Sequence, residues 1–249
     1  MNKLFAILLM LVSLSFTSFS KDIPSNYFVY NLSNNVETST KLIVGKTYES
    51  FETQQDFNTS SNSSLEMCFL NNVFVSVNEN TKFLINQSYS EYAIQSLPSV
   101  IKPSKISYTF SVMQGDIDIV NSNTNNTDNT IVVHTPRINI ILNEGQFKII
   151  ADKETTVIAV YKGSAHILNL LEDRKYKLSE NNCGIITRYV PLTTRHDDPY
   201  YITKSTISVK PIQQDDLDKL KVVFNKIVES LRSVVFVIID NKVSGVKTN

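Results

Sequence analysis

The chain has 249 residues, 42% of them hydrophobic and 19% charged, and its 24 lysines plus arginines balance 24 aspartates plus glutamates. That apolar share supports a packed core and excludes a disordered chain, while zero net charge excludes a field that would draw nucleic acid or an anionic membrane surface. The length allows one large β domain, or a β domain with an appendage.

Residues 1–20 carry one early cation, Lys3, then an apolar run from Leu4 to Leu14, then small residues at Ser18 and Ser20 ahead of Lys21. This is the pattern of a secretory signal peptide. As an uncleaved anchor the run would be short of the roughly 20 residues a bilayer crossing needs. The first cysteine is Cys68, so no residue near the cut is available for acylation. The expectation is an exported protein, periplasmic or extracellular, with no membrane span after cleavage.

Residues 21–40 form a polar N-terminal segment with one apolar patch, Tyr27, Phe28, Val29 and Tyr30, read as an edge strand. From residue 41 the text turns strand-like. Strands are predicted at 42–44, 64–69, 73–77 and 82–86, with polar turns at Asn71 and Asn72 and at 78–80. Residues 88–105, with Pro98 and Pro103, read as a loop or insertion, and 106–113 and 116–120 as strands around Gly115. The tract 121–129 has no apolar residue and reads as a solvated hairpin tip. In 138–142 the residues Ile138, Ile140 and Leu142 share a face, and in 146–151 Phe147, Ile149 and Ala151 do so, leaving Lys148 and Asp152 on the solvent side. Residues 157–161 are apolar on both faces and are expected to be the most buried strand of this set. Gly145 and Gly163 mark tight turns.

Past Pro191 the composition shifts. Residues 206–209 read as a strand, and 215–232 as an amphipathic helix with Asp215 and Asp216 at its start and a stripe of Leu217, Leu220, Phe224, Ile227 and Leu231. The stripe has to be covered, by the chain's own β body or by a partner. Residues 234–239 are apolar throughout and read as a last buried strand.

Residues 130–167 string together four short strands with a turn at each junction. Thr135 and Pro136, the corner from Glu144 to Phe147, Thr155, Thr156 and Val157 leading to Val160, and Lys162, Gly163 and Ser164 together resemble the core of the ferric-citrate regulator (FecR) domain family. Upstream, Val44 and Gly45, Ser63 to Leu65, Asn71 to Val73 and Asn80 to Phe83 fill further places of that pattern, with Asn71 and Asn72 where Asp-Gly is usual. The resemblance implies an all-β domain over 41–190, a twisted β-solenoid-like body or a two-sheet stack of short strands, and the residues beyond it read as a C-terminal extension over 191–249 with one amphipathic helix. It marks Thr135, Pro136, Gly145, Phe147, Thr156, Val157 and Gly163 as structural signature residues. The best-known members are membrane-anchored anti-sigma regulators whose periplasmic part relays a transport signal, with a cytoplasmic segment and a membrane helix ahead of the domain. A chain read as starting with a cleaved signal peptide is expected to lack that regulatory apparatus.

Little in the sequence points to catalysis. No HExxH, GxSxG, P-loop or dinucleotide glycine pattern occurs, and no cofactor is expected. His134, His166 and His196 are scattered, and His196 with Asp197 and Asp198 lacks ligand spacing, so no metal site is expected. Asp116 and Asp118 fall on one strand face, a geometry open to a glycosidase but also to a strand dressed for solubility. The two cysteines, Cys68 and Cys183, could form one disulfide or stay separate thiols. The leading expectation is a non-enzymatic exported binding or scaffold module whose partner is an envelope protein or glycan, with a partner surface on helix 215–232 if the stripe is not covered internally. The alternatives are a carbohydrate-active enzyme using Asp116 and Asp118, or a soluble component of envelope signalling.

Overall fold

The computed structural model describes residues 21–24, 27–38, 42–44, 50–51, 55–69, 73–93, 102–122, 128–169, 174–189, 204–232, 234–239 and 242–247; the signal segment, the Asn71–Asn72 turn and His196 to Asp198 lie outside them. The strands run β1 (Lys21–Pro24), β2 (Tyr27–Ser33), β3 (Asn35–Glu37), β4 (Leu42–Val44), β5 (Ser50–Phe51), β6 (Gln55–Thr59), β7 (Ser64–Phe69), β8 (Val73–Val77), β9 (Lys82–Ala93), β10 (Lys102–Asn121), β11 (Asp128–His134), β12 (Asn139–Ala151), β13 (Thr155–Asn169), β14 (Arg174–Ser179), β15 (Asn182–Tyr189) and β16 (Lys204–Pro211). Helix α1 (Gln214–Arg232) follows, then β17 (Val234–Ile239) and β18 (Lys242–Lys247), which pair only with each other. β1 to β16 form one open sheet, so the all-β expectation with one C-terminal helix holds.

The strands are longer than the turn signals suggested, because three of those signals are bends inside a strand. In β13 the buried positions are Thr156, Ile158 and Val160, then Ala165 and Ile167. In β12 they are Ile140 and Leu142, then Phe147, Ile149 and Ala151. The parity switches at Gly163 and next to Gly145, where the register also slips, and a similar switch occurs in β10 around Gly115. A strand that changes inward parity at a bulge folds over, so both halves face one core. The sheet is thereby doubled into two layers. One runs β16-β15-β13-β12-β10-β8-β7-β2-β5; the other is built from β6, β9, β14 and the remaining halves of β10, β12 and β13, with β11 between β10 and β12. Phe69 of β7 meets Tyr108 and Phe110 of β10 with ring centroids 5.1 and 5.2 Å apart, a contact across the layers and not along the ladder.

Gly163 shows why the bend needs its residue. Its φ is +87°, and a Cβ there would lie 2.0 Å from the carbonyl oxygen of Glu144. Elsewhere asparagine takes the left-handed positions, at Asn34, Asn62, Asn80 and Asn181, as its short polar side chain permits.

Several expectations are corrected. Residues 88–93 and 102–105 are not loop but the ends of β9 and β10, paired as Lys102↔Ala93. The strands flanking the tract 121–129 do not form a hairpin: β10 and β11 are parallel, with Lys105↔Asp128, and residues 123–127 lie outside the described residues. The patch around Tyr27 is not an edge strand, since β2 lies between β7 and β5. Within its own set 157–161 is not the most buried strand, since Val157, Ala159 and Tyr161 are half-buried; β8, by contrast, is buried at all five positions. β16 extends the sheet beside β15, so residues 204–211 belong to the β body.

Candidate functional site

The outer face of the first layer carries the polar and the open features of the molecule. Pairing lines up Glu66, Ser76, Asp118, Lys148, Ala159, Cys183 and Lys210 in a row across β7, β8, β10, β12, β13, β15 and β16. Beside it, Cys68, Phe74 and Val120 form a shorter row on β7, β8 and β10. Helix α1 covers that second row. Leu220, Phe224 and Ile227 are buried with Cys68, Phe74 and Val120 in a separate apolar cluster, and the Phe224 ring stacks on Tyr161 at 5.6 Å and 19°. Three residues of the stripe are therefore covered by the chain's own sheet, while Leu217 is half-buried and the side chain of Leu231 lies outside the described residues.

Asp116 and Asp118 do share this outer face, and both are tied to one lysine. The Lys148 Nζ lies 2.6 Å from Asp116 Oδ2 and 3.4 Å from Asp118 Oδ1, and the Asn78 amide donates to Asp118 Oδ2 at 3.0 Å. Asp118 is 3% exposed. Burial pushes its carboxyl above the usual range, against the pull of Lys148 and the Asn78 hydrogen bond. For Lys148 burial acts downward, yet the two carboxylates outweigh it and hold the ammonium above its ordinary value. The cluster cross-links β10 and β12. Alternation placed Lys148 on the outer face, but only the register could show that it bridges both aspartates.

Next to this cluster the face is open. A groove of about 590 Å³ runs between the N-terminal half of α1 and strands β12, β13 and β15. Ile150, Val157, Ala159 and Ile185 form its floor, with Leu220, Val223 and Ile212 along one wall. Lys148, Lys210 and Lys219 stand around it with Asp216 as the single lining carboxylate, and Cys183 opens into it. Ile150 is 42% exposed and Val223 39%, high for large apolar side chains. Sequence reading missed this groove. Its floor comes from three strands whose order no periodicity reveals.

The signature residues fall in different parts of the fold. Thr135 Oγ1 donates to the carbonyl of Ile138 at 3.1 Å and receives Thr156 Oγ1 at 2.9 Å, closing the turn that holds Pro136. Phe147 is in the interlayer core, Gly145 packs against the carbonyl of Lys162, and Val157 belongs to the groove floor. A polar hollow of about 260 Å³ at the glycine corners is lined by Asn121, Glu144, Lys162 and Glu180. His134 accepts or donates through Nδ1 to Asn139 at 2.6 Å. Among the described residues no three His, Cys, Asp or Glu side chains form a metal-binding group.

Cys68 and Cys183 are both free thiols, so the disulfide alternative is not realised. Four strands separate β7 from β15, which places the two cysteines on the order of 20 Å apart at the usual strand spacing, far beyond disulfide reach. Burial raises both thiols, for Cys68 strongly, while Lys210 partly offsets the effect at Cys183.

Residues 55–166 match the family model described as FecR protein, and this part of the chain belongs to that family. Two crystal structures of a "putative anti-sigma factor" from Parabacteroides distasonis ATCC 8503 are similar at 11% identity, one covering 79% of this chain and 100% of its own at a TM-score of 0.39, the other 78% and 99% at 0.37. No curated protein matches the sequence. No helix among the described residues is long and apolar enough to cross a membrane.

Proposed function

We propose that the chain is an exported, non-enzymatic binding module of the cell envelope, built on a FecR domain and holding its ligand in the groove on the outer sheet face. The observation that carries this reading is the contrast on that face: a groove of about 590 Å³ with an open apolar floor stands beside two carboxylates already committed to Lys148. Ligand pockets commonly combine such an apolar lining with a few polar groups at the rim. A glycosidase instead needs two carboxylates flanking a substrate. Export rests on the residues 1–20 pattern. Two assays test the proposal together. N-terminal sequencing of the protein from its native host should begin within a few residues of Lys21, and recovery of Met1 from the cytosol would remove the export claim. A hydrolase screen on envelope polysaccharides should show no turnover; turnover abolished by Asp116→Asn would replace the binding module with an enzyme.

A further inference from the structure

We propose that the groove binds a single-chain anionic amphiphile of the fatty-acid type, its alkyl chain on Ile150, Val157, Ile185 and Val223 and its head group at Lys210. The inference rests on the binding-module reading and names the ligand class.

Charge selects an anion. Of the three lysines around the groove, Lys148 is held by Asp116 and Asp118, and Lys219 pairs with Asp216 at 3.2 Å. Lys210 has no carboxylate at ion-pair distance among the described residues, so the groove keeps an uncompensated cation at the β15–β16 side. The apolar floor selects an alkyl chain over a peptide. β12, β13 and β15 are each hydrogen-bonded on both sides, so a peptide lying across them could not add as a strand, and its backbone amides would rest unpaired on aliphatic side chains. An alkyl chain brings no such groups.

Cys183 supplies the readout, as it lines the groove and is half-buried, whereas Cys68 is fully buried beneath α1. In the mature chain, iodoacetamide should modify Cys183 and leave Cys68 intact. Palmitate at low micromolar concentration, below its aggregation limit, should slow that modification at least tenfold, and calorimetry should give saturable one-to-one binding. Lys210→Glu, at an exposed site where folding is not at stake, should weaken palmitate at least tenfold, and Lys210→Gln less. Hexadecanol, which lacks the charge, should bind the wild type and Lys210→Glu alike and more weakly than palmitate binds the wild type. The proposal is overturned if palmitate neither binds nor protects Cys183, or if Lys210→Glu binds it as the wild type does. It is also overturned if sedimentation shows self-association through the groove that palmitate does not displace, which would make a second copy the occupant. None of these results bears on the hydrolase screen, so a failed ligand class and a failed binding module remain distinguishable.

Discussion

The two faces of the first layer solve the same problem with different chemistry. Its inner face packs against the second layer through one continuous core, in which Phe69, Phe83, Tyr108 and Phe110 stack and tilt at centroid distances of 5.1 to 5.9 Å. The outer face carries a smaller apolar cluster, a lysine shared by two aspartates, and a groove that α1 leaves open. Strands fix the inner face from both sides, whereas the outer face is covered by one helix laid over part of it. Stability is therefore concentrated inside, and the open apolar surface lies outside. The strands themselves serve both, since Phe147 and Lys148 are neighbours in sequence and face opposite ways.

The comparison can be broken most forcefully at Phe110. It is fully buried between layers, and Phe110→Ala should cost about 4 to 5 kcal/mol because neither layer can collapse onto the cavity. Chemical denaturation should show the loss as a shifted midpoint with an unchanged slope. Phe224→Ala on the outer face should cost about 3 kcal/mol, at the low end of the same range, because a helix can settle where a sheet cannot. It should also speed hydrogen exchange in α1 more than in β8. An equal or larger loss at Phe224 would erase the distinction between the faces. Gly163→Ala should cost roughly 2 to 3 kcal/mol, from a left-handed backbone plus a Cβ pressed on the Glu144 carbonyl, and calorimetric melting would register it.

The smallest effect is the pH dependence of the Asp118 cluster. With the folded-state value raised, the contribution of Asp118 is fully present below the ordinary carboxylate value of about 4 and is lost as the pH rises through the raised one. The wild type should therefore lose stability relative to Asp118→Asn as the pH climbs through the weakly acidic range. The raised Lys148 value acts at the other end, its contribution being present below the ordinary lysine value and lost above it. Melting curves of the two proteins from pH 3 upward should diverge in that sense, and parallel curves would show that Asp118 is not held by burial.

How much of this was legible depended on the range of the signal. Alternation in 138–142 and 146–151 identified the inward residues Ile140, Leu142, Phe147 and Ile149 correctly, because a period of two is a local property. The helix 215–232 and its buried stripe were likewise readable from spacing, and the structure begins the helix one residue earlier, at Gln214. The glycines were seen as turns because a turn and an in-strand bend need the same freedom of φ. Only the pairing partners on either side, such as Gly145↔Gly163, show that β12 and β13 continue through the corner. The hairpin read into 121–129 failed for a related reason. A polar tract looks the same whether the strands it joins are antiparallel or parallel. The groove was out of reach, since Lys148, Val157, Ile185 and Lys210 meet only through the register of four strands.

The most direct test of the central claim is native mass spectrometry of the mature protein purified from its host's envelope, set beside a Val223→Glu variant that places a carboxylate at the groove wall. The account predicts a bound species with the mass of a single-chain acid on the wild type and its loss from the variant, with both proteins melting at closely similar temperatures because Val223 is exposed. A wild-type protein that carries no such species, or a variant that carries the same one, would contradict it.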